Sequence, residues 1–195
     1  MFEPLEPQEE QVIVGLSALN KSTRLDCDYF IPFNQLSEDV IAELQLDLLL
    51  VSGASALQTA LVKFWCEEIG CVAACVESLE HDEKVVEQVI ANVKTKLDGG
   101  EFPNNIDVAD IRYLADDDHQ LLAFDSEEKL IAFLSDEDCP CVTGLLYLVH
   151  GEFDLESYQT CSNKLSACLS DNVTFFYSYC SQGMGECSAL ISVSR

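Results

Sequence analysis

Four short runs of apolar residues in the first 80 positions predict β-strands. They cover 11–16, 28–33, 47–52 and 71–76, and each has the length and the β-branched or continuous apolar character of a strand. The last two runs are apolar at successive positions, which is typical of strands buried on both faces of a parallel sheet. Pro32 cannot donate a hydrogen bond to a neighbouring strand, so the second run is expected at a sheet edge or at the end of a strand.

Two helices are predicted between these strands. Ser37 is a favourable N-cap for a short helix that extends to about Gln45. A second helix is predicted over 55–69, immediately before Gly70, because glycine favours helix ends. Its apolar face is predicted to consist of Leu57, Leu61, Phe64 and Trp65. Because strand, helix and strand follow one another with short turns, the first 80 residues predict a right-handed βαβ layer.

The rest of the chain begins with a long amphipathic helix and continues with alternating strands and helices. The long helix is predicted over 81–97 and stops at Gly99 and Gly100; its apolar face consists of Val85, Val86, Val89, Ile90, Val93 and Leu97. Strands are predicted at 111–114, 120–124, 142–149, 173–179 and 187–193, and helices at 127–134 and 155–169. The last two strands predict a hairpin. The pattern as a whole predicts an α/β fold with two layers joined by the 81–97 helix.

The composition and the charge exclude several classes of protein. Apolar residues make up 48% of the 195 residues, which is enough for a hydrophobic core and excludes global disorder. The 35 acidic and 10 basic residues give a net charge of −25, which repels nucleic-acid phosphates and anionic membranes. No apolar run is long enough to span a bilayer, and the acidic start lacks the basic segment of a signal peptide. We therefore expect a cytoplasmic protein with no nucleic-acid partner and no direct membrane binding.

Residues that could ligate a metal or act as nucleophiles are numerous, but they form no recognised motif. The ten cysteines lie mostly within apolar runs, which predicts buried, reduced thiols. Two close pairs, Cys66 with Cys71 and Cys139 with Cys141, lack the spacing of a zinc site. The acidic runs at 116–118 and 136–138 lack the ligand spacing of a calcium loop and are interpreted as solvated surface. The chain also lacks a nucleophile elbow. No metal, no cofactor and no independent enzymatic activity are predicted.

Several segments resemble, in order, FtsZ, the bacterial tubulin-like division GTPase. The start, MFEP followed by the strand VIVGL, is the first of them. Residues 47–76 are similar to the strand, phosphate-loop helix and next strand of the FtsZ nucleotide-binding domain. Residues 104–114 (NNIDVADIRYL) keep the Asn-x-Asp-x-x-Asp pattern of the FtsZ synergy loop, and a strand is expected after it. Residues 144–192 resemble the last strands and helix of the FtsZ C-terminal domain.

The resemblance implies a reduced FtsZ-like, tubulin-like α/β fold in which about half of the nucleotide-binding domain is missing. Residues 1–10 are expected to form a disordered acidic tail. Residues 11–80 are expected to be the remnant of the nucleotide-binding domain, with the small βαβ layer. Residues 81–103 then form a connecting helix and loop, and residues 104–195 form a mixed α/β domain like the C-terminal domain of FtsZ.

The phosphate loop departs from the FtsZ pattern. A glycine-rich loop lets backbone N–H groups approach a pyrophosphate closely at a helix N-terminus. The corresponding residues here are Ser52, Gly53, Ala54 and Ser55, so only one glycine remains. Residues 16–20 replace the other glycine-rich loop, and the segments for the γ-phosphate and the guanine base have no counterpart between 33 and 47. We therefore expect that GTP binding is lost and that the protein is not an enzyme.

The synergy loop, in contrast, keeps its pattern as Asn105, Asp107 and Asp110. The resemblance implies that this loop meets the nucleotide of the next protomer and supplies carboxylates that orient water or hold a cation. A subunit that keeps the synergy-loop face but has lost the nucleotide-binding face is expected to be a non-catalytic protein that modulates or caps filaments. Its expected partner is FtsZ or another division protein. Three alternatives stay open. Asn105 and Asp107 only cap a turn; or the chain is a self-associating, homo-oligomeric scaffold; or it is a residual GTP-binding enzyme.

Overall fold

The computed structural model describes residues 12–18, 29–99, 104–116 and 119–194. The described strands are β1 (Val14–Ala18), β2 (Tyr29–Pro32), β3 (Leu48–Ser52), β4 (Val72–Glu77), β5 (His119–Phe124), β6 (Val142–His150), β7 (Thr174–Cys180) and β8 (Cys187–Ser194). The described helices are α1 (Glu38–Glu43), α2 (Ala56–Ile69), α3 (Glu83–Asp98), α4 (Val108–Leu114), α5 (Glu127–Leu134) and α6 (Leu155–Ser166). The tail predicted at 1–10 lies outside the described residues.

All eight strands belong to one sheet in the order β2-β1-β3-β4-β5-β8-β6-β7. Every neighbouring pair is parallel except the two pairs that β8 forms with β5 and β6. The predicted α/β class is therefore confirmed, and the continuously apolar β3 and β4 are interior parallel strands, as the pattern predicted. β2, with Pro32 at its end, lies at the sheet edge.

The helices cover both faces of this sheet. On one face, α3 and α4 pack over alternate strand residues such as Leu48 and Leu50. On the other face, α1 and α2 cover Leu49 and Val51, while α5 and α6 cover the half of the sheet that contains β6 and β7. None of the helices in the described ranges is both long and apolar enough to cross a membrane.

β4 and β5 join the two halves of the chain into this single sheet. They pair at two positions, where Val76 and Glu77 at the carboxyl end of β4 face Leu121 and Leu122 in the middle of β5. Helix α4 packs against β4 and contributes Ile111 to the core on that face. The strands before and after residue 80 thus belong to one sheet. The division of the chain into parts at residues 80 and 104 stays a prediction.

Two elements differ from the prediction. Residues 111–114, predicted as a strand, belong to helix α4, because Asp107 and Asp110 cap a helix there and Ile111 and Leu114 bury one helical face. The predicted hairpin of β7 with β8 is also wrong, since β8 lies between β5 and β6. Seven of the eight residues of β8 are buried. An interior position, with a neighbouring strand on each side, removes the most apolar surface of this strand from water and therefore stabilises it most.

Helix α2 is present as predicted, but it faces the sheet with a different side. Its buried residues are Thr59, Val62 and Cys66, which contact the core that contains Leu49 and Val51. The predicted apolar face is wrong for Leu57, Leu61 and Phe64, which are exposed, while Trp65 is half-buried against the same core. The side chains of α2 that face the sheet are small, as are Ala73 and Cys75 on β4 beneath them, so the helix and the strand can approach closely.

Candidate functional site

The predicted synergy-loop residues lie at the start of helix α4. Asp107 is the N-cap, and its Oδ1 accepts hydrogen bonds from the backbone N–H groups of Ala109 (2.8 Å) and Asp110 (3.0 Å). In return, Oδ2 of Asp110 accepts a hydrogen bond from the backbone N–H of Asp107 at 3.0 Å. The two carboxylates thus form a reciprocal capping box, which places them side by side at the helix start.

The loop before α4 is held by strand β7. The side-chain amide of Asn104 donates to the carbonyl oxygen of Tyr177 at 3.1 Å. The hydroxyl of Ser178 donates to the carbonyl oxygen of Asn104. The hydroxyl of Tyr158 on α6 also donates to the Tyr177 carbonyl, at 3.1 Å. These bonds anchor the loop to the sheet, so the positions of Asn105 and Asp107 are set by β7 as well as by α4.

A surface cavity of about 380 Å³ lies between this loop and the aromatic side chains of β7. Asn105 and Asp110 line it from one side and Phe176 and Tyr177 from the other. Asn105 and Asp107 are exposed, whereas Asp110 is half-buried. The structure therefore places Asn105 and Asp110 at a surface concavity that a partner molecule can reach, with Asp107 beside them at the start of α4.

The Asp107 side chain is exposed, whereas the Asp110 side chain is half-buried. Burial raises the pKa of the Asp110 carboxyl; the hydrogen bond from the Asp107 backbone opposes this rise, and the nearby Asp107 charge adds to it. Within the described part of the chain, the other carboxylate oxygens, Oδ2 of Asp107 and Oδ1 of Asp110, accept no hydrogen bond from protein. Chemically, the pair can accept hydrogen bonds from a water or from donors on a partner.

The phosphate-loop position has a different local structure. Ser52 is the buried last residue of β3, and Gly53 has a φ of +72°, a conformation that favours glycine. Ser55 is the N-cap of α2 and forms a capping box with Gln58. The backbone N–H of Ser55 donates to Oε1 of Gln58 (2.9 Å), and the N–H of Gln58 donates to Oγ of Ser55 (3.4 Å).

This capping box uses backbone N–H groups at the start of α2. A phosphate at a helix N-terminus needs backbone N–H groups that point to it without other acceptors. Two of these groups, those of Ser55 and Gln58, already donate to side chains. Ala54 and Ser55 also carry side chains where a glycine-rich loop leaves space for the ligand.

In the chain, helix α3 lies between the phosphate-loop position (52–55) and the loop at 104–107. Ser52 of the phosphate-loop position pairs with Val76 near the carboxyl end of β4, and the chain then enters α3. The 16 residues of α3 span about 24 Å before the chain reaches the loop at Asn104. No hydrogen bond between described residues links 52–55 to 104–107.

No pattern in the sequence singles out Asn104, Ser178 or Tyr158. These residues hold the synergy-loop segment on β7, but two adjacent asparagines do not reveal which of them forms the anchor. The only sequence feature that could have indicated an anchor is the amide side chain of Asn104, three residues before Asp107. The partners became identifiable once β7 and α6 were placed beside the loop.

Comparisons with known proteins agree on the fold. The sequence matches no protein-family model and no curated protein. Among solved structures, the chain is similar to an empty FtsZ dimer from M. jannaschii, with a TM-score of 0.56 and 11% identity, over 96% of this chain and 89% of that one. It is also similar to a tryptophan-to-tyrosine mutant of M. jannaschii FtsZ, with a TM-score of 0.50 and 15% identity, over 87% of this chain and 78% of that one. The chain has the FtsZ-like, tubulin-like fold that the sequence predicted.

Proposed function

We propose that this chain with an FtsZ-like fold is a non-catalytic subunit that does not bind GTP and caps FtsZ filaments in cell division. The observation that carries the proposal is an asymmetry between its two candidate regions. The phosphate-loop position is closed by the capping box of Ser55 and Gln58, while Asp107 and Asp110 lie together at an open surface. FtsZ or another division protein is the proposed partner.

The loss of GTP binding follows from the contacts of the phosphate-loop position. Binding a phosphate there would break the hydrogen bonds between Ser55 and Gln58 and would meet the side chains of Ala54 and Ser55. Breaking a helix cap costs about 1 kcal/mol before the ligand gains any contact. The single glycine, Gly53, serves the turn that leads from β3 to α2.

The docking role rests on the loop that begins at Asn104. In FtsZ, as the resemblance implies, this loop meets the nucleotide face of the neighbouring protomer. Here Asn105, Asp107 and Asp110 keep the pattern, and hydrogen bonds to β7 hold the loop in one conformation. A surface that is organised before it binds loses less conformational entropy on binding.

The capping role follows if the subunit has the synergy-loop face of a filament subunit but lacks the nucleotide face. A head-to-tail filament grows because each subunit offers both faces of a heterologous interface. A subunit that docks through its synergy loop and offers no nucleotide face ends the filament at that point. The net charge of −25 opposes association with an acidic partner, so we expect capping to depend on salt.

The test is to add substoichiometric amounts of this protein to FtsZ polymerising with GTP. We expect shorter polymers by electron microscopy and less polymer by sedimentation. Asp110→Arg should weaken the effect by placing a like charge near the cation bound at the nucleotide face of the partner. Asn105→Arg gives a second test, since Asn105 is exposed and takes no part in the helix cap.

The matched control is Asp171→Arg, which makes the same change at an exposed position in the turn before β7. This variant should shorten polymers as well as the unchanged protein does. If polymer length and the GTPase rate of FtsZ stay unchanged over a range of salt concentrations, the capping proposal is wrong. Equal potency of Asp110→Arg, Asn105→Arg and Asp171→Arg would exclude the synergy loop as the docking site.

A further inference from the structure

Helix α2 carries a stripe of large apolar side chains on the side that faces away from the sheet. Leu57, Leu61 and Phe64 are 81%, 44% and 56% exposed. Their spacing of four and three residues places them on one face of the helix. The opposite face, with Val62 and Cys66, is buried on the sheet. We call the exposed set the α2 stripe.

The α2 stripe cannot turn inward while Val62 and Cys66 of the opposite face stay packed on the sheet, and both ends of the helix are capped. Ser55 and Gln58 cap its start. At its end, Gly70 has a φ of +78°, and its N–H reaches the carbonyl oxygens of Cys66 and Glu67. The helix therefore has two apolar faces, and its outer face is free to contact another molecule. A contiguous exposed apolar patch of this kind is typical of an interaction site.

The surroundings of the α2 stripe are acidic. Exposed carboxylates lie on α2 and on the neighbouring helix α1: Glu38, Asp39, Glu43, Glu67 and Glu68. These two helices contain a single basic residue, Lys63. Its ammonium group reaches towards the end of α4, where it donates to the carbonyl oxygens of Ala115 (3.2 Å) and Asp116 (3.0 Å). The α1–α2 pair thus combines an exposed apolar stripe with five exposed carboxylates.

From this arrangement we infer that the α2 stripe docks a cationic amphipathic helix of a partner protein. Such a helix offers apolar residues at the same three-to-four spacing and basic residues at its flanks, and both features complement this surface. A second copy of the chain complements it less well, because a symmetric contact would bring the two acidic surroundings together. Anionic membranes and nucleic acids are repelled by the same carboxylates. The inference does not depend on the synergy loop or on FtsZ.

Trp65 offers a direct measurement, since it is the only tryptophan of the chain and is half-buried on α2 next to the stripe. The probe is a synthetic helical peptide of leucine and lysine, of about 15 residues or four turns, without tryptophan. We expect a saturable change in Trp65 emission when the peptide is added to the full chain. Because salt screens the charges, the affinity should fall as the salt concentration rises. A peptide with glutamate in place of lysine should not bind.

Substitutions in the α2 stripe separate specific docking from general attraction to an acidic protein. Leu61→Gln and Phe64→Gln should each weaken peptide binding about tenfold, the loss expected for a central apolar contact. The control Leu155→Gln changes a leucine that is 57% exposed at the start of α6, and it should bind the peptide unchanged. Glu67→Gln combined with Glu68→Gln should weaken binding and reduce its salt dependence.

Two results would overturn the inference. Equal peptide affinities for Leu61→Gln, Phe64→Gln and Leu155→Gln would show that the α2 stripe is not the docking surface. A dimer in sedimentation experiments that Leu61→Gln converts to a monomer would show that a second copy occupies the stripe. The capping assay is independent, because the Leu61→Gln variant retains the whole synergy loop and should still shorten FtsZ polymers.

Discussion

At the scale of single residues, one buried amide joins the long helix α3 to the turn before β8. The Asn92 side chain donates to the carbonyl oxygen of Met184 (2.9 Å) and to Oγ of Ser188 (2.8 Å). Its Oδ1 accepts a hydrogen bond from the backbone N–H of Met184 at 2.9 Å. Gln88, one turn earlier, donates to the same carbonyl from an exposed position. Asn92 therefore holds α3 against the C-terminal half of the sheet.

We predict that Asn92→Leu lowers the free energy of unfolding by about 2 kcal/mol, because it leaves the part-buried backbone N–H of Met184 and the buried hydroxyl of Ser188 without their Asn92 partner. Urea denaturation followed by circular dichroism measures this change. Gln88→Leu is the matched control: it removes one exposed hydrogen bond to the same carbonyl and should change stability by less than about 0.5 kcal/mol. Equal decreases in the free energy of unfolding for Asn92→Leu and Gln88→Leu would show that the buried Asn92 hydrogen bonds do not stabilise the protein more than the Gln88 bond does.

At the scale of elements, helix α2 shows how a correct helix prediction can assign the wrong face. The sequence has apolar residues on two sides of α2, and their pattern favours the side with the larger residues. The structure instead buries Thr59, Val62 and Cys66. Packing against the sheet decides the orientation, because the face of β4 beneath α2 carries the small residues Ala73 and Cys75, and small side chains on α2 let the helix lie close to it.

A pair of truncations tests this orientation. Val62→Ala removes a buried side chain from the contact with the sheet and should destabilise the protein by about 2 kcal/mol. Leu61→Ala removes a larger but exposed side chain and should change stability by no more than about 0.5 kcal/mol. Thermal and urea unfolding of the two variants provide the comparison. The orientation is wrong if Leu61→Ala proves the more destabilising change.

At the scale of the whole molecule, the parallel strands of the N-terminal half and the mixed strands of the C-terminal half form a single sheet. The pairing of β4 with β5 connects the two halves, and β8 lies between β5 and β6 within the C-terminal half. Because the two halves share this sheet and the core beneath α3, we expect them to unfold together. A ligand that stabilises either half should therefore raise the melting temperature of the whole protein.

This coupling makes thermal unfolding a sensitive test of nucleotide binding. We predict that millimolar GTP with Mg²⁺ leaves the Tm unchanged, because the capping box of Ser55 and Gln58 occupies the phosphate-loop position. A ligand at about 100-fold its Kd would add about 2.7 kcal/mol of stability, which such a measurement detects easily. An FtsZ that binds GTP serves as the positive control. A rise in Tm specific to GTP, and absent with ATP, would contradict the prediction.

The sequence by itself determined the features that depend on neighbours along the chain. The apolar runs of β3 and β4, the cap at Ser37 and the helix end at Gly70 are local signals, and each predicted its element. The FtsZ-like resemblance also came from ordered sequence motifs, and the similarity of the folds confirmed it at the level of the fold.

Only the tertiary structure decided the features that depend on contacts between distant segments. The acidic pattern at Asp107 and Asp110 allowed a turn, a loop before a strand or a helix cap, and the burial of Ile111 and Leu114 selected the cap. The position of β8 and the face of α2 were decided in the same way. Apolar residues in a sequence show that surface must be buried, but the partner that buries it is set by the packing of the whole chain.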